Sequence, residues 1–115
     1  MRSMNKNSQE DSRQCVIQVA TQILNGSINP VAGCRMLLSL EASAALTHLS
    51  GYEVIRAIES ETDDYPIGEP REGYDASLLT RLDTEIEVYL GKVRGPLLAA
   101  CRQLLDYLHG KTGTA

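Results

Sequence analysis

From Ser8 onward, apolar residues recur at steps of three and four: Cys15, Val16, Val19, Ala20, Ile23 and Leu24 fall on one stripe. The spacing predicts a helix over Gln9 to Leu24, capped by Ser8 and stopped at Asn25-Gly26, where glycine takes the left-handed conformation that ends helices. Asn29-Pro30 then reads as a cap and a proline at the first helical position, where the missing N–H would be unpaired anyway. A second helix carries Val31, Cys34, Leu37, Leu38, Ala42, Ala45, Leu46 and Leu49, and Ser50-Gly51 ends it. The short link from Asn25 to Asn29 makes the pair an antiparallel hairpin.

Val54, Ile55, Ala57 and Ile58 fit one buried helical turn or a short extended stretch; a short third helix is the better fit. Periodicity then stops. Residues 59–75 hold two prolines and two glycines and form a long loop. From Asp75, a good cap, a long stripe runs through Leu78, Leu79, Leu82, Ile86, Leu90, Val93, Leu97, Cys101, Leu104, Leu105 and Leu108. Continued to His109, this helix would be about 52 Å long at 1.5 Å per residue. Gly95-Pro96 lies inside it, and the proline deprives the Lys92 carbonyl of its donor, so a kink or break is expected near Lys92 to Gly95. The resulting fold is all-α, a small bundle of four to five helices with a long C-terminal helix. One domain spans 8–109, with unstructured ends at 1–7 and 110–115.

Composition narrows the function more than it changes the fold. The chain has 115 residues, 43% hydrophobic, with no Phe or Trp, so Leu, Ile, Val and Ala must fill the core. A net charge of −4 with scattered basic residues excludes a phosphate-tracking, nucleic-acid-binding surface. No run approaches the roughly 20 apolar residues of a membrane span, and the N-terminus has no apolar signal stretch, which points to the cytoplasm. Cys15, Cys34 and Cys101 are an odd, widely spaced set among apolar neighbours, expected as buried thiols in a reducing compartment.

Chemistry concentrates in the loop. Glu59, Glu61, Asp63, Asp64, Glu69, Glu72 and Asp75 place 7 of the 15 acidic residues within 17 positions, beside a single base, Arg71. The cluster reads as a solvated loop, a calcium or magnesium site, or an ordered recognition surface. The order of residues lacks the D-x-[DN]-x-[DN]-G pattern of calcium loops. Ser60, Thr62 and the aspartates offer side-chain acceptors for turns, Pro66 and Pro70 fix two φ angles, and Gly68 permits a positive one. Arg71 is expected to fold back onto Glu61 and Asp63 as a two-pronged donor, with Tyr65 and Tyr74 as anchors. Nucleophilic catalysis needs a Ser or Cys with a base, but His48 and His109 both fit helix C-terminal positions, Cys34 beside Arg35 reads as an apolar-face cysteine, and no Gly-rich phosphate loop occurs.

The stretch Ser60-Glu61-Thr62-Asp63 with Pro66, Gly68 and Arg71, the following helix with Leu79, Asp83, Glu85 and Ile86, and its end Ala100-Cys101-Arg102 resemble a group of short bacterial proteins of unknown function. Ile23-Leu24-Asn25-Gly26 and Gly33-Cys34-Arg35 are similar too, so the resemblance spans most of residues 20 to 105. It implies a shared fold and carries no activity.

The function expected from these observations is protein binding without catalysis or cofactor, as an immunity or adaptor module. Its partner would be another protein, such as a basic toxin, met by Glu61, Asp63, Asp64, Tyr65, Glu69 and Arg71. A homodimer through the last helix is a further expected partner arrangement. The alternatives are a structural homo-oligomer and a metal- or ligand-dependent enzyme using the same carboxylates.

Overall fold

The computed structural model describes the backbone of residues 2–113 and the side chains of residues 8–110. The ends expected to be unstructured, 1–7 and 110–115, have no described side chains apart from Gly110; the described backbone is helical at 2–7 and 110–113, so α1 begins ahead of the Ser8 cap expected for it. Among the described residues the chain is all-α: α1 (Arg2–Asn25), α2 (Pro30–Leu40), α3 (Gly51–Glu61) and α4 (Ala76–Gly113), with one 3₁₀ segment, Glu69–Gly73. Each helix packs on its sequence neighbour and α4 closes back onto α1, so the four form a ring around one core. The long last helix stretches the molecule to 53 × 32 × 22 Å. Its radius of gyration is 15.7 Å, against roughly 13 Å for a compact chain of this length.

Local chemistry explains the element ends. Asn29 accepts the backbone N–H groups of Val31 (2.8 Å) and Ala32 (3.2 Å), capping α2. Gly26, at φ +78°, closes α1 while Ser27 N–H reaches the Gln22 carbonyl. Asp75 accepts from the N–H groups of Ser77 and Leu78 and caps α4. Gly33 lets α1 and α2 approach closely, since a Cβ there would meet the Ile23 side chain at 2.7 Å.

Three other expectations need correction. The second helix stops at Leu40 and residues 41–50 form turns, where apolar spacing implied helix up to Ser50. Ala45 takes φ +58°, with its N–H bonded to the Ala42 carbonyl and that of Leu46 to the Glu41 carbonyl, a Schellman-type ending with alanine where glycine is usual. Arg13 takes the Ala44 carbonyl (2.8 Å), tying the turn to α1. Of the apolar residues counted as helix in this stretch, Leu46 is fully buried and Leu49 partly so, whereas Ala42 and Ala45 are exposed and Ala44, outside the expected stripe, takes the buried place.

The second concerns Pro96: of the kink or break expected there, no break occurs, and α4 is continuous through it. Both Pro96 and Lys92 are exposed, so this stretch of α4 lies at the surface, where water can take the place of a missing helical donor. The third is Cys15, which is exposed although Cys34 and Cys101 are buried. Its neighbour Val16 holds the inward position on α1.

The main core joins Val16, Val19, Ala20 and Ile23 of α1 to Leu37 of α2, Tyr52, Ile55 and Ile58 of α3, and Leu97, Cys101, Leu104 and Leu108 of α4. Each large side chain here contributes roughly 1.5–3 kcal/mol relative to exposure. Tyr52 is fully buried, and its hydroxyl donates to the Leu37 carbonyl at 3.0 Å. A second, smaller cluster of Val31, Tyr65 and Leu90, flanked by Ile67, Leu82 and Ile86, lies at the loop end of α4. The loop therefore rests on a core of its own.

A candidate recognition groove at the acidic loop

The segment after α3 is folded by the side chains of Thr62, Arg35, Arg71, Tyr65 and Asp83 and by the turn at Gly68. Thr62 is buried, and its hydroxyl donates to the Ile58 carbonyl at 2.8 Å, turning the chain out of α3. Arg35, projecting from α2, donates to the carbonyls of Thr62 (2.6 Å) and Tyr65 (2.9 Å), so one guanidinium gathers the helix end and the turn beyond it. Gly68, at φ +79°, redirects the chain into the 3₁₀ segment. Arg71 then spans to α4, where its two terminal nitrogens meet the two oxygens of Asp83 at 3.1 and 2.8 Å.

Tyr65 completes the latch. Its hydroxyl donates to Asp83 at 2.6 Å and accepts from Arg71 at 3.3 Å, while Arg71 also donates to the Pro66 carbonyl at 3.1 Å. The guanidinium carbon lies 5.8 Å from the Tyr65 ring centroid, in cation–π range. The bond from Arg71, then that from Tyr65, holds the Asp83 carboxyl below its ordinary pKa. Burial, with the bond to Asp83, pushes the Tyr65 phenol up, against the opposing effect of Arg71. Both shifts favour the ion-paired, hydrogen-bonded state at neutral pH.

Beside the latch, Glu61, Thr62, Asp64 and Tyr65 face Leu82, Glu85, Ile86 and Tyr89 of α4 across a groove of about 210 Å³. Its α4 wall supplies Leu82, Ile86 and the Tyr89 ring, and carboxylates stand on both sides. Burial, followed by the negative charge of Glu61, raises the Tyr89 phenol pKa.

The six residues expected from sequence are thus divided. Glu61, Asp64 and Tyr65 come together at the groove. Asp63 and Glu69 are exposed outside its lining, with Glu69 opening the 3₁₀ segment. Tyr65 is 9% exposed and packs inward. Arg71 pairs with Asp83 and not with Glu61 and Asp63, a correction with a simple cause: the turn at Gly68 carries it across to α4. Sequence reasoning missed Arg35 as the clamp, Asp83 as the partner of Arg71, and Glu85 and Tyr89 as groove residues. The resemblance motif contains Arg71, Asp83 and Glu85, but spacing along the chain does not disclose which of them meet.

Among the described residues no three His, Cys, Asp or Glu side chains gather closely enough to hold a metal ion. The buried thiols are poor nucleophiles, since desolvation pushes Cys34 up to about 12 and Cys101 up to about 11. His48 lies in the exposed turns after α2, edge-on to Tyr107 with ring centroids 5.2 Å apart. No described helix is long and apolar enough to cross a membrane. No protein family, curated protein or solved structure was found to match the chain.

Proposed function

We propose that this chain is a cytoplasmic protein-binding module of the immunity or adaptor kind, which offers its acidic loop to a basic partner such as a toxin. One observation carries the reading: the loop is fastened by Arg35, Tyr65, Arg71 and Asp83, while Glu61, Asp63, Asp64 and Glu69 have no ion-pair partner among the described residues. A loop already ordered in the free protein does not incur its ordering cost on binding. Uncompensated carboxylates steer a basic partner and can stand where a nuclease expects phosphate.

The test compares the tagged wild-type chain with the double variant Glu61→Lys/Asp63→Lys in enrichment from native lysate, after circular dichroism establishes that both fold. A stoichiometric basic partner held by the wild type and lost by the variant is the expected result. A partner retained equally by both would remove the loop as the recognition surface.

A further inference from the structure

We propose that the groove between the loop and α4 seats one arginine side chain of the partner, its stem along Leu82, Ile86 and Tyr89 and its guanidinium between the carboxylates of Glu61 and Glu85. This rests on the partner-binding reading above and adds the chemical identity of the contact.

Size is the first argument. A volume of about 210 Å³ falls below the roughly 300–1,000 Å³ of pockets that enclose small molecules or cofactors, and suits a single long side chain. The lining supplies the second. Leu82, Ile86 and Tyr89 offer an apolar and aromatic wall for methylene groups, and Glu61, Asp64 and Glu85 offer acceptors at the rim. No basic residue lines the groove, and Arg35 nearby is committed to backbone carbonyls. These carboxylates do not gather closely enough for a metal ion, whereas a guanidinium with its five donors can reach separated acceptors.

The choice of arginine over lysine comes from the chain itself. Arg71 already lies against the Tyr65 ring with a two-pronged bond to Asp83. Tyr65 also lines the groove, where a second tyrosine, Tyr89, and carboxylates of the loop and α4 repeat those ingredients. A planar cation stacks on such a ring and forks onto a carboxylate; an ammonium is a compact, strongly hydrated point charge that does neither as well.

The experiment is an NMR titration of the full ¹⁵N-labelled chain with N-acetyl-arginine methylamide, alongside the lysine and citrulline analogues, citrulline being the neutral near-isostere. Saturable shifts are expected at the amides of Thr62, Asp64, Glu85 and Tyr89. Citrulline should bind at least tenfold more weakly and lysine about threefold, and Glu85→Gln should weaken arginine binding about fivefold with the spectrum of α1 unchanged. Equal binding of citrulline or lysine would overturn the proposal, as would shifts that follow every exposed carboxylate, Glu10 and Asp106 included. Should arginine fail here while Glu61→Lys/Asp63→Lys still abolishes partner capture, the groove assignment falls and the partner-binding reading stands; failure of both removes both.

Discussion

Replacing Arg35 with methionine keeps an unbranched apolar stem against its neighbours and removes only the guanidinium. Two carbonyls lose a charged donor, those of Thr62 and Tyr65. They are not equivalent, because the Thr62 carbonyl keeps the N–H of Tyr65 at 3.0 Å, while the Tyr65 carbonyl has no other partner among the described residues. The loss is thus close to one charge-assisted hydrogen bond on a part-buried acceptor, about 2 kcal/mol. At roughly 4 °C per kcal/mol for a domain of this size, the melting temperature should drop by about 8 °C. The distinguishing assay is native-state hydrogen exchange. The amides of Tyr65, Arg71 and Tyr74, which bond within the loop, should exchange about 30-fold faster, the equivalent of 2 kcal/mol. Core amides of α1 should follow only the global change. If melting falls by this amount while the loop amides exchange at their wild-type rates, Arg35 acts through packing on α2 and the clamp is refuted.

Two other predictions concern the bundle. Ala45→Gly should raise stability by about 0.5–1 kcal/mol, because the left-handed strain on alanine is relieved by more than the added freedom of the unfolded chain offsets, and the methyl group is exposed. Ala42→Gly, three residues earlier, should instead destabilise in the same urea titration; a fall for both would refute the strain. In a thiol-reagent assay of the native protein, one equivalent should react quickly, at Cys15, with Cys34 and Cys101 labelled only on unfolding. Fast labelling of three equivalents would mean that the core opens on the assay timescale.

The fold is legible in the sequence wherever a local residue type enforces the geometry. Asn29-Pro30, Asn25-Gly26 and Asp75 mark helix ends because an acceptor, a missing donor or an absent Cβ acts within a few residues. The second helix is misread for the opposite reason: Ala45 adopts a glycine conformation with nothing in its identity to announce it, and the apolar spacing continues although Ala42 and Ala45 are exposed in turns and only Leu46 is fully buried. Pro96 looks like a break because sequence does not show that its stretch of helix lies at the surface, where water can replace a missing donor. The acidic loop is recognisable as unusual, and Gly68 as its pivot. Its tertiary pairs, Arg71 with Asp83 and Arg35 with two carbonyls, join residues 12, 27 and 30 positions apart, beyond the range at which local pattern constrains geometry.

The ring order of the helices bears on how the chain folds. Contacts between α1 and α2, α2 and α3, and α3 and α4 all join consecutive elements, so most of the bundle can assemble with short loop closures and a small entropic barrier. Only the return of α4 to α1 spans the chain. The smaller cluster joins Val31 of α2 to Leu90 of α4 through Tyr65, so it is complete only when the segment between α3 and α4 folds down onto both helices. A nascent chain would complete its helical scaffold first and order the acidic loop afterwards, so the loop takes its shape only on a bundle already in place.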